Sequence, residues 1–372
     1  MTELEDLRSD FPIYTQQRNN KPPIYFDSAC MTLRPESVIN AIESYYREYS
    51  ACAERSDHWF AELTEKKVQD AREAVSHFLQ SLPENVVFTR NTTEGINLLA
   101  FQFRRTPGGV VIISDKEHNS NFLPWKQLEI EGLITLEIIP TTPDSGLDLE
   151  QLEQIVEKYT DINGPKLISV FHTSNLDGSE NPISEIVSLA KKYGYQIHID
   201  GAQGLPHKRF IPGQAQVDYL TFSGHKMLGP TGTGVFWATD DHLSQMQPMI
   251  IGGGTPLDAT YDGFTLLKPP AKFEAGLQNY AGIIGLGAAV SYLDSLLEEN
   301  PHCIHDHEVA LNTYLTEHLI GLSDRITIIG PTDPSKRNGI LSFSLKDMDH
   351  HQVSYLLNDQ ANIMIRAGRH CV

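Results

Sequence analysis

The chain has 372 residues, of which 40% are hydrophobic and 21% charged, so we expect a soluble protein with a large core and about two domains. Its 29 basic and 48 acidic residues give a net charge of −19, which argues against nucleic acid or an anionic membrane as a partner. The N-terminus shows no signal peptide, and no apolar run approaches the length of a membrane span. Four widely spaced cysteines fit a reducing cytoplasm better than a disulfide framework, and no pair has zinc-site spacing.

The predicted elements alternate between strands and helices along most of the chain. Helical periodicity predicts helices over residues 36–48, 63–80, 94–103, 183–193, 283–297 and 351–357. Short apolar runs predict strands over residues 86–88, 110–113, 133–139, 166–171, 196–199, 326–329 and 339–345. This alternation predicts an α/β fold with a mostly parallel sheet covered on both faces, and ligands in such sheets bind beyond the carboxyl ends of the strands. The pattern changes near residue 283, where we expect a smaller second domain to begin.

A lysine and an aspartate, each at the end of a predicted strand, carry the main functional signal. Lys226 lies in the turn SGHK (223–226), between an apolar run and a glycine-rich segment, and Asp200 ends the run QIHID (196–200). Pyridoxal phosphate requires such a pair, because a lysine forms a Schiff base with its aldehyde and an aspartate keeps its pyridine nitrogen protonated. Lys226 and Asp200 therefore predict a pyridoxal phosphate site.

Hydroxyl groups near two other strand ends are candidates for binding the phosphate. Thr92 and Thr93 stand at a strand-to-helix junction, where free backbone N–H groups and the helix dipole favour an anion. Taken alone, this junction fits an ordinary threonine N-cap at least as well. Ser223 and His225 lie in the same turn as Lys226 and are further candidate phosphate donors.

Three more polar side chains follow predicted strands and could contact the cofactor ring. His118 could stack on the pyridine, although an isolated histidine is more often a surface or structural residue. Asn175 and Gln203 could donate hydrogen bonds to the phenolic oxygen of the cofactor. Each signal is weak by itself, and the hypothesis depends on their occurring together at successive strand ends.

From residue 25 onward the chain resembles the class V aminotransferase family, and within it the cysteine desulfurase and selenocysteine lyase group. The matching segments are residues 25–29, 88–97, 117–118, 124–125, 174–175, 198–203, 222–232, 273–276 and 366–371. The SGHK turn in this context is highly specific for pyridoxal phosphate, and the segment RAGRHC (366–371) is moderately specific for the desulfurases. The resemblance implies the pyridoxal-phosphate-dependent transferase fold of type I. It also implies a segment 1–24 that packs with the small domain, a large domain 25–282 and a small α+β domain 283–372.

The resemblance also assigns roles to the candidate residues. It implies that Lys226 binds the cofactor covalently, that Asp200 pairs with the ring nitrogen, and that Gln203 pairs with the ring oxygen. It further implies that His118 stacks on the ring, that Asn175 lies near cofactor and substrate, and that the phosphate is bound by Thr93, Ser223 and His225. Cys371 resembles the loop cysteine that attacks the sulfur of L-cysteine and carries it as a persulfide, leaving alanine.

Members of this group are homodimers with the active site at the interface, and Thr265 lies near where the partner contributes to the phosphate site. A sulfur-acceptor protein is a possible further partner. Relatives continue for some tens of residues beyond the cysteine, with an arginine that binds the substrate carboxylate. We therefore expect this chain to be a fragment rather than a shortened natural form, and Arg366 is a candidate replacement for that arginine. Arg369 stands where a histidine is often found. Cys30 and Cys52 look like packing residues, although Cys30 occupies a position close to the substrate in relatives.

Two other functions remain open at this level. A class V aminotransferase, or another pyridoxal phosphate lyase, would use the same cofactor site with Cys371 incidental. A protein that binds the cofactor without turnover could serve as a scaffold. The sequence also leaves open whether the substrate is cysteine or selenocysteine.

Overall fold

The order of strands and helices follows the predicted alternation in residues 3–53, 56–142, 146–322 and 324–371, which the computed structural model describes. The strands are β1 (Ile24–Phe26), β2 (Val86–Thr89), β3 (Gly109–Ser114), β4 (Ile134–Ile139), β5 (Lys166–Phe171), β6 (Gln196–Asp200), β7 (Tyr219–Ser223), β8 (Gly234–Ala238), β9 (Pro256–Thr260), β10 (Gly263–Leu266), β11 (Ile326–Ile329), β12 (Ser342–Leu345) and β13 (Ile363–Ile365). The α-helices are α1 (Glu36–Glu48), α2 (Trp59–Phe78), α3 (Thr92–Arg105), α4 (Asn119–Ile130), α5 (Leu149–Lys158), α6 (Ile183–Lys192), α7 (Pro212–Ala215), α8 (Asp240–Gln245), α9 (Tyr280–Glu299), α10 (Cys303–Leu322) and α11 (His350–Ala361).

Seven of these strands form the central sheet, in the order β2-β8-β7-β6-β5-β3-β4. Strands β4, β3, β5, β6 and β7 run parallel to one another, and β8 is antiparallel to both of its neighbours. The register places Phe171 beside Asp200, and Asp200 beside Thr221. The carboxyl ends of the parallel strands therefore meet at one edge of the sheet, as the sequence predicts.

Hydrophobic cores cover both faces of this sheet. Along β3, Val110 and Ile112 face one core, whereas Val111 and Ile113 face the other, which also contains Trp125. Strands buried on both faces have nearly continuous apolar sequences, which is why the runs of the central sheet could be recognised.

Outside the central sheet, β11 and β12 form an antiparallel pair, and β1 pairs in parallel with β13. Helix α9 packs against α1 and α2. It is the one helix among the described residues that is long and apolar enough to cross a membrane, and most of it is buried inside the protein as a core helix would be. No run of this kind is predicted from the sequence. The boundaries at residues 24 and 282 remain predictions.

Candidate active site

A cavity of about 580 Å³ opens at the carboxyl ends of β2, β3, β5, β6 and β7. Eleven residues predicted for the site line it: Thr92, Thr93, His118, Asn175, Asp200, Gln203, Ser223, His225, Lys226, Arg366 and Cys371. Thr265 lies elsewhere, on strand β10, which forms an exposed hairpin with β9. The fold therefore brings predicted site residues between positions 92 and 371 to a single cavity. Their individual roles remain predictions.

Lys226 and Asp200 form the charged floor of the cavity. Lys226 ends a single 3-10 turn after β7, and Asp200 is the last residue of β6, with 6% of its surface exposed. Burial lowers the pKa of Lys226 and raises the pKa of Asp200, and each charge partly offsets the shift of the other. Asp200 Oδ1 accepts a hydrogen bond from the Ala202 N–H at 3.0 Å. Within the described ranges, no side chain donates to Asp200 and none accepts from Lys226 Nζ, so both groups keep bonding capacity for a ligand.

Hydroxyl groups join two helix N-termini at another wall of the cavity. Ser223 Oγ accepts a hydrogen bond from the Thr92 N–H at 2.9 Å and lies 2.8 Å from Thr92 Oγ1. Thr93 Oγ1 lies 2.7 Å from the hydroxyl of Ser120, in the first turn of α4. The N-termini of α3 and α4 therefore meet with their hydroxyls in contact, an arrangement suited to an anion.

The two predicted histidines are neutral in this setting. His118 caps α4, since its Nδ1 accepts from the Ser120 N–H at 3.1 Å, which leaves the ring proton on Nε2. Burial and then the nearby Lys226 charge lower the pKa of His118 to about 4. Burial, with Lys226 and Arg34, lowers the pKa of His225 to about 4. A neutral imidazole at position 118 can stack on a protonated pyridine ring without charge repulsion.

Glu117 anchors the loop that carries His118. Its buried carboxyl accepts hydrogen bonds from Ser114 Oγ at 2.6 Å, Asn121 Nδ2 at 2.7 Å and the Phe171 N–H at 3.1 Å. These contacts tie the end of β3 and the first turn of α4 to the end of β5. The sequence predicts no role for this residue, although it belongs to the segment 117–118 that carries the family resemblance.

The segment after β13 folds over the cavity and carries Cys371. The Asn119 N–H donates to Cys371 O at 2.8 Å, and Asn175 Nδ2 donates to His370 O at 2.8 Å. His370 and Cys371 have left-handed backbones with φ of 53° and 60°. Cys371 is exposed and lines the cavity, and its charge acts on the pKa of Lys226.

Two side chains predicted to bind cofactor or substrate, Gln203 and Arg366, form contacts with other residues of the protein. Gln203 Nε2 donates to Ala29 O at 2.6 Å. Arg366 contacts both carboxylate oxygens of Asp27, with Nε–Oδ1 and Nη2–Oδ2 distances of 3.0 Å. A substrate carboxylate at Arg366 would have to share the guanidinium with Asp27. No pattern in the sequence predicts this contact between Arg366 and Asp27.

This donor set fits pyridoxal phosphate. A buried carboxylate suits a protonated ring nitrogen, a buried amine suits the aldehyde, and the hydroxyl-lined helix N-termini suit the phosphate. A Cβ at Gly224 would lie 2.3 Å from Thr233 Oγ1, so the turn that presents Lys226 requires glycine at this position. The residues at the cavity wall are therefore compatible in type and charge with every part of this cofactor.

Known proteins agree with this interpretation. Residues 24–372 match the family described as "Aminotransferase class-V". A probable cysteine desulfurase of Halalkalibacterium halodurans is 36% identical, with 98% of this chain and 88% of that protein covered. A cysteine desulfurase of Serratia proteamaculans is 36% identical, with 99% and 89% covered.

Solved structures show the same relationship. The apo cysteine desulfurase from Thermococcus onnurineus has a TM-score of 0.91 at 33% identity, covering 100% of this chain and 89% of that one. An Escherichia coli cysteine desulfurase solved in an S-sulfonic acid form has a TM-score of 0.87 at 28% identity, with the same coverage. With a family match over nearly its whole length and relatives above 30% identity, the chain belongs to the class V aminotransferase family.

Proposed function

We propose that the chain is a pyridoxal-phosphate-dependent cysteine desulfurase, which converts L-cysteine to L-alanine and captures the sulfur as a persulfide on Cys371. The observation that carries this proposal is that the exposed Cys371 lines the same cavity as Lys226. Relatives named cysteine desulfurase, at 34–36% identity over almost the full chain, support it.

Different residues of the cavity would have different roles in this reaction. Asp200 would hold a proton at the cofactor's ring nitrogen, His118 would cover the ring, and the two joined helix N-termini would bind the phosphate. When bound, pyridoxal phosphate supplies an electron sink for the α-carbon of an amino acid. Lys226 would hold the cofactor and then move the substrate's α-proton, a task favoured by burial, which lowers its pKa.

Cys371 provides the nucleophile for sulfur transfer. The bond between its Sγ and the substrate sulfur forms as the carbon–sulfur bond of the substrate breaks, and protonation of the remaining carbon gives alanine. The hydrogen bonds to His370 O and Cys371 O hold the backbone of this residue in place during attack. Arg366 is the proposed contact of the substrate carboxylate, beside Asp27.

Alanine release from L-cysteine, measured with added pyridoxal phosphate and a thiol reductant, tests the activity. We expect alanine from the wild-type chain and none above background from Cys371→Ser. Cys303→Ser is the matched control, because Cys303 lies on α10 away from the cavity. Alanine release that is unchanged in Cys371→Ser would overturn the persulfide role, and keto-acid formation from an amino donor would favour an aminotransferase instead.

We further propose that the protein is a homodimer with the β9–β10 hairpin in the interface. Leu257, Tyr261 and Phe264 on this hairpin are exposed, and clusters of exposed apolar side chains commonly mark protein interfaces. Thr265 on the same hairpin would then approach the partner's phosphate site. We expect sedimentation as a dimer and dissociation by Leu257→Asp combined with Phe264→Asp; a monomeric wild-type protein at micromolar concentration would contradict the proposal.

A cytoplasmic sulfur-acceptor protein is the proposed destination of the sulfur. The exposed Cys371 in the cavity wall supports transfer to a partner, and the few unpaired cysteines suit a reducing compartment. Faster alanine release on addition of a thiol-bearing acceptor protein would be the expected kinetic sign.

A further inference from the structure

We propose that Cys30 is a second sulfur-carrying thiol of this cavity, which accepts the sulfane sulfur from the Cys371 persulfide. The inference rests on the proposed desulfurase activity and adds a step after it. Both cysteines line the cavity, one from each end of the chain. The other two do not: Cys52 lies 3.9 Å from the Tyr280 hydroxyl, and Cys303 Sγ lies 3.6 Å from Leu296 O.

The pairing of two short strands brings these cysteines to the same place. Strands β1 and β13 are parallel, with Phe26 opposite Ile365. Because parallel strands leave a sheet at the same end, the segments that carry Cys30 and Cys371 both start there and enter the cavity wall together. The pairing of the two strands therefore brings both cysteines to the same cavity.

Side-chain contacts then fix each segment beside the other. The Asp27–Arg366 ion pair links them directly after the strands. Gln203 Nε2 binds Ala29 O at 2.6 Å, next to Cys30, and the Asn119 N–H binds Cys371 O at 2.8 Å. Both cysteine backbones are therefore anchored to the sheet edge that forms the cavity.

The two thiols share the electrostatic field of one ammonium group. Burial lowers the pKa of Lys226. Negative charge raises it, most strongly at Asp200 and less strongly at Cys30 and Cys371. Although burial acts to lower it, the pKa of Arg366 is raised by Asp27 and, to a smaller extent, by charge at Cys30. Lys226 and Arg366 therefore both lie within electrostatic range of the partly buried Cys30 thiol.

The proposed step needs no oxidant or reductant. The Cys30 thiolate attacks the outer sulfur of the Cys371 persulfide, a new Cys30 Sγ–S bond forms, and the Cys371 Sγ–S bond breaks. Cys371 leaves as a thiolate and takes the proton that Cys30 lost, so charge and oxidation state are conserved. The outer sulfur comes from the substrate, which reacts inside the cavity that Cys30 lines, so Cys30 is placed to reach it.

Transfer to Cys30 regenerates the Cys371 nucleophile before any acceptor arrives. Without reductant or acceptor, each chain would then complete a second turnover and hold sulfur on both cysteines. A site with Cys371 alone would stop after the first turnover. The number of alanine molecules released in the initial burst therefore distinguishes the two arrangements.

The test is rapid-quench measurement of the alanine burst per bound cofactor, with L-cysteine as the only thiol added and the burst read before slow turnover by the substrate's own thiol. We expect a burst of about two equivalents from the wild-type holoenzyme, about one from Cys30→Ser, about two from the control Cys303→Ser and none from Cys371→Ser. Alkylation and peptide mass spectrometry of the wild-type protein should find the added sulfur first on Cys371 and then on Cys30. Because this mapping uses the unmodified chain, it remains decisive if Cys30→Ser does not fold.

Other outcomes separate failure of this inference from failure of the proposed function. A burst of about one in the wild type, with no added sulfur on Cys30, would make Cys30 a packing residue and leave the desulfurase intact. A burst of about two that persists in Cys30→Ser would place a polysulfide on Cys371 and overturn the transfer. No alanine from the wild type, or a burst unaffected by Cys371→Ser, would overturn the proposed function itself.

Discussion

Asp27 and Arg366 form a bidentate ion pair that joins the N-terminal part of the chain to the segment bearing Cys371. Both nitrogen–oxygen distances are 3.0 Å, and the side chains are 22% and 44% exposed. Solvent screens a pair of this exposure, yet two parallel charge-assisted hydrogen bonds favour one orientation of the guanidinium. The group proposed to bind the substrate carboxylate is thus already oriented by a carboxylate of the protein.

Two substitutions separate these roles of Arg366. Asp27→Asn breaks the ion pair but keeps the guanidinium, whereas Arg366→Gln removes it. We expect KM for L-cysteine to rise about tenfold more in Arg366→Gln than in Asp27→Asn, because only the former also loses the partner of the substrate carboxylate. Arg47→Gln, which breaks an exposed pair with Glu43, is the control. Equal KM values in the two variants would restrict Arg366 to its contact with Asp27.

Lys226→Ala should abolish covalent binding of the cofactor. The amine is the one lysine lining the cavity among the described residues, so no other can replace it. We expect the visible absorbance of the covalently bound cofactor to disappear after exhaustive dialysis, while the exposed control Lys191→Ala retains it. A visible band that survives dialysis in Lys226→Ala would mean that the cofactor is attached elsewhere.

The strand ends of the site were predictable because each follows an apolar run buried on both faces. Asp200 and Lys226 end or follow such runs, and parallel strands bring their carboxyl ends together without any knowledge of side-chain contacts. Predicted strands 166–171 and 326–329 and helix 36–48 match the observed elements residue for residue. Periodicity assigns no role to Cys371; the role proposed for it comes from the family resemblance.

Contacts between distant parts of the chain were not predictable in the same way. Strands β1 and β13 have three residues each, which is too short to show the alternation of apolar and polar residues that predicts a strand. Asp27 and Arg366 are 339 positions apart, so nothing in the sequence indicates that they pair. Helix α4 was missed because it contains Pro124, which normally argues against a helix interior. Glu117 was missed because its partners come from three different elements, so only folding reveals that its carboxyl is satisfied.

Ser223→Ala tests the joined helix N-termini as the phosphate site. The hydroxyl of Ser223 bonds to the N-terminal residue of α3, and a hydrogen bond to a charged group contributes about 1.5–3 kcal/mol. We expect the cofactor dissociation constant to rise about tenfold or more, with Ser188→Ala on the surface of α6 as the control. Unchanged cofactor affinity in Ser223→Ala would place the phosphate at another wall of the cavity.

The buried Glu117 makes stability depend on pH in a direction opposite to that of an ordinary carboxylate. Burial raises its pKa to about 8, although the hydrogen bonds from Ser114 and Asn121 act to lower it. Between the unfolded pKa, near 4.5, and the folded value, the folded protein binds more protons than the unfolded chain. The contribution of Glu117 to the free energy of unfolding therefore falls as pH rises through this window, by at most about 1.4 kcal/mol per pH unit.

Glu117→Gln removes this ionisation and keeps the size of the side chain. We expect the difference in unfolding free energy between wild type and Glu117→Gln, measured by urea denaturation, to shift in favour of the variant from pH 5 to pH 8 and to level off above pH 8. The buried histidines have lowered pKa values, which make the unfolding free energy rise with pH below about 6.5. Their contribution is the same in both proteins and therefore cancels in the difference. The exposed control Glu157→Gln should show no such trend. A pH-independent difference would mean that Glu117 is ionised throughout this range and is held as a carboxylate by its three donors.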